Sequence, residues 1–247
     1  MNMHDTTTDA LLGGRLQLTQ PLKGYRAGND PVFLAASIPI KQGEHVLDVG
    51  TGVGTALLCL AARDNSIKGV GVEVQENLAT LALQNTEQNN LDQTFTIIKA
   101  DIFEKIDQIK GLQFNHVLSN PPFFESEKTT VSSLSSKKLG RMIEKGDLQR
   151  WVSFCIKHVR PKGTITLIYR TEGIVEILKT LDGKVGDIKI FPLWSKRGEP
   201  AKRFIIQGRN GAKGPPQLLA GLVLHDRDGT YYPEVDKILR HGAALKL

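Results

Sequence analysis

Along the 247-residue chain, short apolar runs alternate with stretches whose apolar positions recur at helical spacing. The runs over 45–49, 69–74, 95–99, 116–119 and 164–169 predict strands, and the stretches over 55–63, 76–89 and 172–181 predict helices. In the helix over 76–89, Leu78, Leu81, Ala82 and Asn85 fall on one face. Asp147 can cap a further helix whose Leu148, Trp151, Val152, Cys155 and Val159 share a face. Lys162-Gly163 then turns the chain into its next strand. Two late strands, near 187–193 and 203–208, are joined by a loop containing Pro and Gly, which predicts an antiparallel hairpin at a sheet edge. A strand and a helix near the C-terminus complete the same domain.

Repeated strand–helix alternation predicts an α/β fold, a doubly wound and mainly parallel sheet with helices on both faces. The length suits one such domain. With 40% apolar and 23% charged residues, wholesale disorder is excluded. Cys59 and Cys155 lie within helical patterns and form no CxxC pair, which argues against a disulfide framework or a zinc site and for a reducing compartment. The first nine residues are polar, without the apolar core of a secretory signal, and the apolar stretch over 55–62 is too short to span a bilayer. The expectation is a soluble, cytoplasmic protein with no membrane partner.

Charge changes the picture. The net +6 is segregated: residues 126–170 hold ten Lys/Arg against three Asp/Glu, and residues 194–213 hold six against one. Clustering of this kind suits a polyanion such as RNA or DNA, although a solvated basic surface would look the same. The segment 125–136, rich in Ser, Thr and Lys, reads as a mobile loop.

Candidate chemistry begins at Asp48-Val49-Gly50-Thr51-Gly52-Val53-Gly54, between a predicted strand and a predicted helix. Glycines at such a turn let backbone approach a ligand with no Cβ in the way. Dinucleotide loops use Gly-x-Gly-x-x-Gly, whereas the spacing here is Gly-x-Gly-x-Gly. Two acids stand at the ends of the following strands. Glu73 can accept hydrogen bonds from both hydroxyls of a ribose, and Asp101 can meet an adenine amine while Ile102 flanks the ring. A solvated strand end and a helix cap are the plainer roles for these two. The loop holds an acid and no Lys or Arg. Asp48 would repel a pyrophosphate but can support an ammonium, which favours S-adenosylmethionine over NAD.

The second motif, Asn120-Pro121-Pro122-Phe123, follows the fourth predicted strand at the same sheet edge. An exocyclic base amine is poorly nucleophilic because its lone pair delocalises into the ring. The Asn120 side-chain oxygen and the Pro121 carbonyl can accept its two N–H groups and favour pyramidalisation. Pro122 stiffens the turn, and Phe123 offers a face for base stacking. Positioning is then the principal catalytic task, with no metal and no covalent nucleophile. Alone, this tetrapeptide could be a Pro-Pro turn whose Asn bonds local backbone.

The glycine loop followed by two strand-end acids resembles the class I S-adenosylmethionine-dependent methyltransferases. That likeness implies a Rossmann-like fold with a seven-stranded, mainly parallel sheet and an antiparallel C-terminal hairpin. Asn-Pro-Pro-Phe matches the motif of amino-directed members, which act on adenine, cytosine, guanine N2 or glutamine amide nitrogen. The lead-in from Gln20-Pro21 through Gly24-Tyr25-Arg26 to Asp30-Pro31-Val32-Phe33-Leu34-Ala35 is similar to that of the tRNA1(Val) adenine-37 N6-methyltransferase family. So are Gly146-Asp147-Leu148 with Trp151, the run 202–208 and Tyr232-Pro233-Glu234-Val235.

This resemblance implies that residues 1–40 cap the cofactor pocket of a domain spanning 41–247, with Tyr25 and Arg26 at the donor. Arg26 could instead form a surface ion pair, and Asp30 could cap the helix that follows it. The implied reaction is methyl transfer to adenine N6 of a tRNA. Guanine N2 of ribosomal RNA is one alternative, since Phe123-Phe124 stands where that family commonly has Tyr, and glutamine N5 of a protein is another, since such enzymes share the Asn-Pro-Pro-aromatic motif. An RNA target would be flipped into the pocket. Lys137, Lys138, Arg141, Lys196, Arg197, Lys202 and Arg203 are the candidates for its backbone.

Overall fold

The computed structural model describes residues 5–24, 26–122 and 146–247. The main sheet begins with β3 (His45–Val49), which leads through helix α2 (Thr55–Arg63) to β4 (Lys68–Glu73). Helix α3 (Glu76–Gln88) leads on to β5 (Phe95–Lys99). The chain then crosses to the other side of β3 and forms β6 (Phe114–Ser119). After helix α4 (Asp147–His158) come β7 (Val159–Arg170), helix α5 (Ile174–Leu181), β8 (Val185–Lys196) and β9 (Arg203–Asn210). The spatial order is β5-β4-β3-β6-β7-β9-β8, all parallel except β9, which is antiparallel to both neighbours.

These seven strands are the expected sheet, but the observed one has nine. The short β10 (Gln217–Leu218) and β11 (Leu222–His225) both pair in parallel with β8. The late hairpin is therefore not the sheet edge. The added strands cover backbone groups that β8 would otherwise present as an open edge. β8 is also longer than its apolar run, because a register shift between Gly186 and Lys189 carries pairing through polar residues.

Two cores flank the sheet. One packs α1 (Asp30–Ser37), α2, α3 and α6 (Pro233–His241) through residues such as Phe33, Leu57, Leu81 and Ile238. The other packs α4 and α5 through Trp151, Val152, Ile177 and Leu181. The glycine Gly146, at φ +98°, rather than Asp147, occupies the cap of α4. Asp147 is instead the first helical residue, where its carboxylate suits the positive end of the helix dipole.

The sequence pattern did not predict the N-terminal hairpin of β1 (Thr6–Leu11) and β2 (Leu16–Pro21), a separate two-stranded sheet. Its Leu16 and Leu18 join the core beside α2 and α3. No helix among the described residues is long and apolar enough to cross a membrane.

Candidate active site

The crossover from β5 back to β6 makes the gap between β3 and β6 the topological switch point, where open α/β sheets bind ligands beyond their strand ends. Both motifs meet there. Val49 pairs with Ser119 in register, so the glycine loop and Asn120 leave adjacent strands side by side.

The loop is built from backbone that glycine alone adopts comfortably: Gly50, Gly52 and Gly54 have φ of +73°, +59° and +86°. At Gly50 space is also decisive, since a Cβ would lie 2.7 Å from the Trp151 ring. The loop N–H groups are turned inward. Those of Gly50 and Thr51 donate to the Val72 carbonyl, at 2.8 and 3.0 Å, and that of Gly52 donates to Glu73 Oε2 at 2.9 Å. These three donors do not face a phosphate, in keeping with the spacing that set the loop apart from dinucleotide sites.

Two buried carboxylates lie beneath the loop. The Thr51 hydroxyl donates to Asp48 Oδ2 at 2.7 Å. Burial pushes Asp48 up to about 7; the Thr51 bond opposes the rise and the nearby Glu73 charge adds to it. Glu73 Oε1 accepts from the Gln75 N–H at 2.9 Å, and burial raises this carboxyl as well. Each Glu73 oxygen keeps a lone pair beyond its backbone bond, so the group can still accept from a diol. The next residue, Val74, leaves 49% of its surface exposed. It is an apolar residue beside the acid, and the sequence reading did not single it out. Asp101 Oδ1 accepts from the Phe103 N–H at 2.8 Å, closing a turn after β5 with Ile102 buried beneath it.

Asn120 follows β6, and its Oδ1 is buried with no hydrogen-bond partner among the described residues. An unpaired buried acceptor costs about 1–3 kcal/mol, so one retained at a switch point marks a place where a donor belongs. Pro121 is buried and Pro122 exposed. The Tyr169 hydroxyl donates to the Pro122 carbonyl at 3.3 Å, tying the turn to β7.

The two motifs rest on groups that the pattern alone does not mark. Trp151 Nε1 donates to Ser119 Oγ at 2.9 Å, and Ser119 Oγ donates to the Val49 carbonyl at 2.6 Å. Asn85, read as part of an apolar helix face, is wholly buried and joins three elements. Its amide donates to the Thr19 carbonyl at 2.8 Å and the Val53 carbonyl at 2.9 Å, and its Oδ1 accepts from the Thr19 N–H at 2.8 Å. The only advance signal was a polar residue at an otherwise apolar spacing.

Arg26, beyond the N-terminal hairpin, is held against it, with its guanidinium donating to Asp9 Oδ2 at 2.7 Å, Thr7 Oγ1 at 2.8 Å and the Pro21 carbonyl at 2.9 Å. Asp30 opens α1 and pairs with Arg203 at 3.1 Å, while Asn29 takes the cap position. Arg197 and Lys202 are exposed and Lys196 half-buried on the hairpin between β8 and β9. Tyr25, Phe123, Lys137, Lys138, Arg141 and the segment 125–136 lie outside the described residues.

Residues 30–153, half of the chain and the half that carries both motifs, match the methyltransferase small domain family. The chain belongs to that family. It is an S-adenosylmethionine-dependent methyltransferase, and the inward-turned loop, the diol-ready Glu73 and the exposed Val74 fit that donor.

Among curated relatives, the methyltransferase is 25% identical to a tRNA1(Val) (adenine(37)-N6)-methyltransferase of Aeromonas hydrophila, over 83% of this chain and 85% of that protein. It is 26% identical to the protein of that name from Porphyromonas gingivalis, over 86% and 82% respectively. A 101-residue stretch is 35% identical to the Proteus mirabilis protein of that name, covering 40% of each. Among solved structures, a predicted O-methyltransferase from Agrobacterium tumefaciens superposes with a TM-score of 0.73 at 22% identity, over 88% of this chain and 99% of that one. This last likeness shows the Rossmann-like fold.

Proposed function

We propose that this methyltransferase transfers a methyl group to the N6 amine of an adenine in tRNA. The observation that carries the reading is the Oδ1 of Asn120 at the switch point, buried and with no hydrogen-bond partner among the described residues. When bound, S-adenosylmethionine supplies an electrophilic methyl group on a sulfonium. Asn120 Oδ1 and the Pro121 carbonyl accept the two N–H groups of the adenine amine and hold its lone pair toward the donor. On gaining the methyl the amine gives up one proton to solvent, and the donor, its sulfur–methyl bond broken, would leave as the neutral thioether S-adenosylhomocysteine. Orientation of this kind lowers the barrier by removing translational and rotational freedom before reaction.

With the donor bound, Glu73 would hold its ribose, Asp101 and Ile102 its adenine, and Asp48, through Thr51, its ammonium. Residues 1–40 form a capping segment on the domain of 41–247. The Asn85 bridge from the hairpin to the glycine loop supports this role. The names of the relatives support adenine N6 as the acceptor. Lys196, Arg197 and Lys202 meet the RNA backbone, whereas Arg203 positions α1 through Asp30. A tRNA substrate places the enzyme in the cytoplasm.

The test is incubation of unmodified tRNA and ribosomal RNA with labelled donor, followed by nucleoside mass spectrometry. N6-methyladenosine in tRNA is the expected product. N2-methylguanosine, or label only in protein, would overturn the assignment.

A further inference from the structure

Trp194 stands near the end of β8, at the same sheet end as Asn120. Pro192 pairs with Phe204 and Phe204 with Tyr169, so side-chain alternation puts Trp194 on the face that Tyr169 occupies. Tyr169 in turn bonds the Pro122 carbonyl. With β7 and β9 between β6 and β8, Trp194 lies three strand spacings from Asn120, on the order of 15 Å. A few nucleotides of one strand cover that distance.

The indole is fixed at its edge. Its Nε1 donates to the Ala220 carbonyl at 3.1 Å, and Gly221 lies so close that a Cβ there would come within 2.8 Å of the same atom. Val223 pairs with Trp194 in register and flanks it on the same face. Against the ring opens a cleft of about 490 Å³, lined also by Arg197, Glu199 and Pro200. The lining selects its occupant. Arg197 suits a phosphate, whereas Glu199 repels a bare anion and accepts N–H groups from a base. Pro200, Val223 and the indole give apolar surface for a planar ring. Lys196 and Lys202 add positive charge on the same hairpin.

We propose that this cleft is a stacking subsite for an unpaired RNA base a few nucleotides from the methylated one. The inference rests on the RNA reading above and names how the substrate strand is held. A base stacked on Trp194 would leave its neighbours splayed toward Asn120, which lowers the cost of flipping the target.

The test is binding of a short single-stranded oligoadenylate, followed by tryptophan fluorescence and by anisotropy of a labelled strand. Wild-type emission is expected to be quenched on binding. Trp194→Ala should weaken binding about 10-fold. Trp194→Phe should keep most of the affinity and lose most of the quenching. Undiminished affinity in Trp194→Ala, an equal loss in Trp194→Phe, or no quenching in the wild type would each overturn the subsite. Because the probe needs no turnover, a protein that binds in the expected way but methylates no RNA sinks the proposed function and keeps the subsite. One that methylates tRNA and binds as well without the indole does the reverse.

Discussion

Trp151 and Ser119 form the joint that sets the two halves of the active site against each other. The indole N–H reaches Ser119 Oγ at 2.9 Å, one residue before Asn120, while the same ring closes over Gly50. Phe103 packs edge-on to that ring at 6.2 Å, and the Arg150 guanidinium sits 4.2 Å from the Phe103 centroid. Donor loop and acceptor motif are thus positioned by one side chain that need touch neither ligand. Ser119→Ala leaves a buried indole N–H unpaired and frees the Val49 carbonyl. We expect a loss of about 1–3 kcal/mol in stability, read by denaturant titration, with kcat falling while donor affinity stays within a few-fold. A fall in donor affinity alone would mean that Trp151 serves the glycine loop and not the acceptor motif.

Asn120→Ala removes the buried Oδ1 that has no partner among the described residues. Turnover should fall at least about 100-fold, with the calorimetric affinity for S-adenosylmethionine nearly intact. Asn120→Asp keeps an acceptor at the same place and should recover part of the rate. Activity at wild-type level in the alanine variant would remove Asn120 from the chemistry.

Glu73 divides its oxygens between the Gly52 and Gln75 N–H groups, so it both shapes the loop and remains able to accept from a ligand. Glu73→Ala should weaken donor binding at least about 10-fold, the scale of one hydrogen bond to a charged group. Calorimetry measures this directly, and an unchanged dissociation constant would exclude the residue from the donor site.

Asp48 gives the fold a pH dependence of definite sign. Its folded-state value is raised to about 7, by burial first, whereas the unfolded chain titrates it near 3.9. Between these values the folded state holds a proton that the unfolded state has lost. Stability from this group is therefore full below about pH 4 and is lost as pH rises through about 7. The raised Glu73 acts in the same direction. Asp48→Asn keeps an acceptor for Thr51 and should flatten the fall in melting temperature between about pH 5 and pH 8. An equal slope in variant and wild type would show that Asp48 does not carry it.

The elements that could be read in advance are those whose residues serve one purpose. The helix over 55–63 and the strand over 95–99 have the observed bounds, because a local run of apolar residues marks each of α2 and β5. The β1–β2 hairpin escaped notice because Thr6, Thr7 and Thr8 give no apolar alternation. Beside the burial of Leu16 and Leu18, hydrogen bonding to Asn85, Gln88 and Asn89 holds it to the domain, a relation between distant residues. At the site, Asp48, Glu73 and Asn120 stood out because acids and amides at strand ends are chemically conspicuous. Ser119, Trp151 and Asn85 did not, since a serine in a strand and a tryptophan on an amphipathic helix look like ordinary packing. Their roles depend on which strands lie side by side, and only the topology supplies that. Arg26 shows the converse: a cation in a suggestive motif is engaged by Asp9 of the preceding hairpin.

The hairpin between β8 and β9 carries the last prediction. Lys196, Arg197 and Lys202 cluster at the sheet end that holds Asn120, whereas Arg203 is paired with Asp30. If these three side chains meet RNA phosphates, each contact releases condensed counterions when RNA binds. Replacing all three with Gln should reduce the slope of log affinity against log salt by up to about 2, at roughly 0.7 per single-strand contact. The loss should be similar for every RNA sequence, because phosphate contacts position the strand without reading bases. Replacing Arg203 instead should destabilise the protein by loosening α1 from β9 and leave the slope unaltered. Filter binding over a range of salt concentrations separates the two cases. An unaltered slope in the triple variant would move the RNA face away from this hairpin.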